Sequence, residues 1–100
     1  MIENLISIKQ EYENYLEVCK ITKKNRKKEL LKLEKLNKLN DENGIDTTPI
    51  MEKLEAVEQE FIEADKEISK VKKVIFRIGV CINIMMGGDS EVTEEPQESL

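Results

Sequence analysis

The sequence predicts an all-α fold: an antiparallel two-helix coiled-coil hairpin, completed by a larger helical bundle on assembly and followed by a disordered acidic tail. Three observations carry this reading. Residues Met1 to Asn43 contain neither Gly nor Pro, and a single turn signal, Asn43-Gly44, separates them from a second long periodic stretch. That second stretch keeps an apolar repeat of 3.5 residues over five heptads. The charges fall in blocks that cancel when the chain folds back at Gly44.

The first helix is expected over residues 2–40. In a frame of alternating three- and four-residue steps its seam reads Leu5, Ile8, Tyr12, Tyr15, Cys19, Thr22, Arg26, Glu29, Leu33 and Leu36. The apolar pattern breaks at Thr22, Arg26 and Glu29, with Leu16, Leu30 and Leu39 flanking it. The loop is expected over residues 41–48, with Thr48 as N-cap and Pro49 at the first helical position. At nine residues, DENGIDTTP is too short for the β-hairpins that prefoldin subunits carry between their helices.

The second helix is expected over residues 49–86. Its seam is Ile50, Leu54, Val57, Phe61, Ala64, Ile68, Val71, Ile75, Ile78, Ile82 and Met85, all apolar. Gly87-Gly88 stops it, so residues 1–86 form one helical domain and residues 87–100 the acidic tail.

The formal net charge of −5 over 100 residues conceals alternating blocks. Residues 1–19 carry −3, residues 20–38 carry +7, residues 39–69 carry −8, residues 70–78 carry +4 and residues 79–100 carry −5. Folding at Gly44 sets +7 beside −8 and −3 beside +4. This alignment puts Lys23 near the level of Asp65 and Lys32 near that of Glu60. Glu58, Glu60, Asp65 and Glu67 are expected at the e and g positions flanking the seam, with Lys23 and Lys32 at the equivalent positions of the first helix. The same fold keeps Cys19 and Cys81 about 16 Å apart along the helix axis, too far for a disulfide, so each is expected as a small packing residue.

Composition narrows the function. There is no His, no Gly-rich phosphate loop and no Cys/His cluster, so no catalytic residue, cofactor or metal site is expected. The N-terminus lacks a signal-peptide pattern, and the most apolar run, residues 74–86, is too short to span a bilayer. A soluble protein of a reducing compartment, cytoplasm or nucleus, is expected.

One feature exceeds what two helices can bury. Measured from Ile75 at about 100° per residue, Phe76, Val80 and Ile84 lie about 100–180° away and form a second apolar stripe. Val74 and Cys81 also stand outside the seam, and Ile2 and Ile6 stand off the seam of the first helix at the same end. Ile2, Ile6, Val74, Phe76, Val80, Cys81 and Ile84 are therefore the expected partner-binding residues. The expected partners are other helical protein subunits, a hetero-assembly being favoured over a self-made four-helix dimer. The layout, over residues 2–86, is similar to small helical-hairpin subunits of kinetochore, vesicle-tethering and transcription-adaptor complexes, which implies a non-catalytic scaffold role. The alternative is a helical protein that binds nucleic acid or a membrane surface through the basic segments 20–32 or 70–86. Nucleic acid is disfavoured because no aromatic residue is interleaved with Lys20, Lys23, Lys24, Arg26, Lys27 and Lys28.

Overall fold

In the computed structural model, which describes residues 1–87, the chain is a hairpin of two helices, α1 (Ile2–Glu42) and α2 (Thr48–Met85). No strand occurs among the described residues. The principal extents of 68 × 24 × 14 Å are those of one layer, two helices wide and one thick. The expected tail lies outside the described residues except for Gly87.

The turn is built by the chemistry of its own residues. Gly44, at φ +69°, takes the left-handed conformation that closes a helix. The Ile45 amide donates to the Asn40 carbonyl at 2.8 Å and the Gly44 amide to Asp41 at 3.1 Å. These two bonds make a Schellman motif, which extends α1 two residues past the expected position 40. Asn43 Nδ2 adds a bond to the Leu39 carbonyl at 2.8 Å.

The start of α2 differs from the expected cap. Thr48 is the first helical residue, Thr47 precedes it without a side-chain cap bond, and Pro49 follows. Asp46 Oδ1 accepts instead from the Thr48 amide at 3.0 Å and the Thr48 hydroxyl at 2.8 Å. A carboxylate two residues upstream reaches the free amide as an Asx turn, which frees Thr48 to enter the helix. These bonds to Thr48 hold the Asp46 carboxyl below the usual aspartate range. At the far end, Gly87 is left-handed at φ +76° and its amide bonds to the Ile84 carbonyl at 3.0 Å.

The helices align antiparallel so that facing residue numbers sum to about 88, as in Lys23 with Asp65 and Lys9 with Gly79. The buried residues are Cys19, Leu33, Val57, Ile68 and Val71, all at expected seam positions. Along α2, Ile50, Leu54, Phe61, Ala64, Ile75, Ile78 and Ile82 are half-buried, while the last seam position, Met85, is exposed.

The seam of α1 departs from expectation at every second position. Its less exposed residues are Ile2, Leu5, Lys9, Glu13, Leu16, Cys19, Lys23, Arg26, Leu30, Leu33, Asn37 and Asn40, again at steps of three and four. Leu5, Cys19, Arg26 and Leu33 belong to the expected frame. Ile8, Tyr15, Thr22 and Leu36 are exposed and their places are taken by Lys9, Leu16, Lys23 and Asn37, each one residue later. Glu29 is half-buried beside Leu30. Tyr12 too is exposed, and Glu13, one residue later, is half-buried. One residue is about 100° of helix, so the true seam is rotated toward polar side chains, which an apolar template passes over. Asn37 Oδ1 is buried there with no hydrogen-bond partner among the described residues.

Two predictions test these details. Leu33→Ala should lower stability by about 2–5 kcal/mol, whereas Leu36→Ala should change it by about 0.5 kcal/mol or less, read from urea unfolding midpoints. Equal losses would sink the rotated seam. Acidification should remove the Asp46 cap: a carboxyl held low when folded adds stability above its unfolded pKa, and that stability is lost as pH falls through the lower, folded value. An NMR titration should therefore place Asp46 below the ordinary value of about 3.9, with the Thr48 amide moving in step; a midpoint at or above that value refutes the Asx cap.

Candidate docking surface and central charge cluster

The open end of the hairpin brings the start of α1 against the end of α2. Of the expected partner-binding residues, Ile6 (50%), Ile84 (56%) and Cys81 are exposed. Cys81 is thus a surface thiol rather than a packing residue, while Cys19 is buried; both are free. Ile2, Val74, Phe76 and Val80 are half-buried.

Other apolar residues share that end. Ile8, Tyr12 and Tyr15 are exposed, as are Met85 and Met86. Ile8, Tyr12 and Tyr15 line a shallow depression with Glu11. Ile6 and Ile8 are two residues apart, about 200° of helix rotation, so they occupy opposite flanks of α1. The open end therefore displays apolar groups on both of its broad faces. The sequence held the signal for the second face: Ile8 and Tyr15 leave the seam as soon as it is advanced to Lys9 and Leu16.

The Tyr15 phenol is held above its usual range, first by its interaction with the Cys19 side chain and then by the Glu67 carboxylate. Tyr15, Cys19 and Glu67 line a second groove, of about 380 Å³, with Val18, Thr22, Glu60, Glu63 and Ala64.

Charge organises the middle of the hairpin. Lys23 Nζ lies 2.5 Å from Asp65 Oδ1 and 5.6 Å from the centre of the Phe61 ring. The expected level of Lys23 and Asp65 is thus observed, although Lys23 sits in the seam rather than on its flank. Glu60 meets Arg26 at 3.5 Å rather than Lys32, and Arg26 also holds Glu29 at 2.8 Å. At the observed alignment Lys32 faces about residue 56, so the expected Lys32–Glu60 level is four residues off. The pairs Lys9–Glu13 and Lys20–Glu17 lie along α1.

On the face opposite the Tyr15 groove, a cleft of about 530 Å³ is lined by Lys20, Lys23, Lys24, Lys27 and Lys72 over Phe61 and Ile68. Among the described residues, no group of three or more His, Cys, Asp or Glu is placed to hold a metal ion. No helix among them is long and apolar enough to cross a membrane. The surface offers exposed apolar residues at the open end, others along the sides and toward the turn (Leu31, Leu36, Leu39, Ile45 and Met51), and unequal charge along the sides. Comparison of the chain with protein-family models, curated proteins and solved structures finds no match.

The central pair is open to measurement. A double-mutant cycle with Lys23→Ala and Asp65→Ala should give a coupling of about 0.2–1 kcal/mol, because both side chains remain partly exposed, and it should shrink in high salt. Zero coupling at low salt would remove this pair as an alignment device.

Proposed function

We propose that this chain is a non-catalytic structural subunit of a larger helical assembly, docking through the open end of its hairpin onto helices of other subunits. The observation that carries the reading is that Ile6, Ile8, Tyr12, Tyr15, Ile84, Met85 and Met86, contributed by both helices, are exposed toward that end; Leu36, Leu39, Ile45 and Met51 are exposed toward the turn as well. Leaving an Ile side chain in water forgoes about 1.5–3 kcal/mol of burial, and several such side chains side by side mark an interaction surface. A single layer 14 Å thick has no interior in which to hide them. The partner that suits a surface of ridged helical side chains is another helix pair, giving a four-helix or larger bundle.

The charge pattern supports protein docking over nucleic acid. Three of the six basic groups that a nucleic-acid surface would use are paired with acids, Lys20 with Glu17, Lys23 with Asp65, and Arg26 with Glu29 and Glu60. A kinetochore, vesicle-tethering or transcription-adaptor complex is the kind of assembly in which a long hairpin of this shape serves as a spacer and clamp.

The test pairs a native-mass or sedimentation measurement with recovery of the tagged chain from cells. The wild-type chain should be recovered in a stoichiometric complex, and Ile6→Lys with Ile84→Lys should abolish it while the circular dichroism stays helical. A wild-type chain that sediments as a lone 11.6 kDa species and recovers no stoichiometric companion defeats the proposal.

A further inference from the structure

The cleft on the Phe61 face stands apart from the open end and has its own chemistry. Lys20, Lys24 and Lys27 come from α1 and Lys72 from α2, with Phe61 and Ile68 between them. Among the described residues Lys24, Lys27 and Lys72 have no carboxylate within 4.0 Å, and Lys20 has only the exposed pair with Glu17 at 3.5 Å. Like charges this close repel along α1, in the i, i+4 relation of Lys20 to Lys24. An anionic occupant would relieve that repulsion.

We propose that the occupant is an acidic segment of this same chain, residues 88–100, laid back along α2 into the lysine cleft. Those residues lie outside the described part, and the argument uses their sequence and length. They carry five carboxylates, Asp89, Glu91, Glu94, Glu95 and Glu98, and no basic residue.

The reach matches. Lys72 stands 15 residues before Gly87 on α2, about 22 Å along the axis, and Phe61 stands 26 residues before it, about 39 Å. An extended chain covers about 3.3 Å per residue, so Glu94 reaches about 23 Å from Gly87 and Glu98 about 36 Å. Glu94, Glu95 and Glu98 thus fall within reach of the cleft, while Asp89 and Glu91 lie short of it. Along that path α2 presents Lys72 at the cleft, and residues 70–78 contain no acid. Attachment at Gly87 supplies the segment at an effective concentration on the order of millimolar, enough for weak exposed pairs to hold it.

Nucleic acid fits the cleft less well. The Phe61 ring lies under the Lys23 ammonium and is not open for base stacking.

Carbodiimide cross-linking of the full-length chain, read by mass spectrometry, tests the proposal. Cross-links are expected within one chain between Glu94, Glu95 or Glu98 and Lys72, Lys20 or Lys24. Replacing Lys24 and Lys27 with Glu should lower the yield at Lys72 and Lys20 about five- to tenfold, as should raising the salt from about 50 mM to about 500 mM. In parallel, neutralising the five acids to Asn or Gln in the full chain should shift the NMR amide signals of residues 20–27 and 68–72. Signals that stay in place, together with absent cross-links, overturn the proposal. Cross-links found only between isotopically distinct chains overturn it in favour of a second copy. A synthetic oligonucleotide that moves the cleft signals while neutralising the tail does not overturns it in favour of nucleic acid.

Discussion

Two helices give each other only one face to bury, and this geometric constraint governs the whole molecule. A hairpin one layer thick has a seam but no interior, so every residue is within one side chain of solvent. Even the least exposed, Val71 at 3% and Val57 at 4%, lie in a strip between two cylinders rather than in an enclosed core. Stability comes from a row of contacts repeated along the axis, each modest, as in coiled coils generally. The same geometry leaves apolar residues outside the strip in water, and the long exposed flanks follow from it.

The two helices use the seam unequally. α2 brings an apolar side chain to every seam position from Ile50 to Met85, while α1 brings Lys9, Lys23, Arg26, Asn37 and Asn40 among its apolar ones. Apolar contacts hold two helices together but tolerate sliding by a heptad. Lys23 against Asp65, and Arg26 against Glu60, discriminate between such registers, because a seven-residue slip would separate each cation from its acid by about 10 Å. Polar seam residues commonly serve to choose one alignment at some loss of stability. Asn37, with its side-chain oxygen unpaired in the seam, fits the same role.

Legibility followed the contrast between apolar and polar residues. The α2 seam could be read because Ile, Val, Leu and Phe fill it against charged neighbours, and the turn could be read because Asn43-Gly44 has few other uses. The α1 seam was read one residue early at alternate positions, because Ile8, Tyr15 and Leu36 satisfy an apolar template while Lys9, Lys23 and Asn37 do not. The charge blocks place Lys23 level with Asp65, but on the flank; only a frame scored on charge as well as hydrophobicity moves Lys23 into the seam and sets Arg26 against Glu60. The helix start at Thr48 was missed for a related reason: Thr-Pro is a common cap, and the competing Asp46 carboxylate acts from outside the helix.

By itself the sequence determined the hairpin, its turn at Gly44, the antiparallel sense and the stretch of α2 that faces α1. Each of these depends on local signals or on charge summed over blocks, which survive an error of one residue. Only the tertiary structure decided the rotation of α1, the pairing of Glu60 with Arg26, and which side chains stay exposed at the open end. A one-residue step turns a helix by about 100°, and the energy that selects the rotation is spread over the facing side chains of both helices. That choice turns Ile8 and Tyr15 from seam residues into surface ones, and it converts Lys23 from a flanking charge into part of the seam.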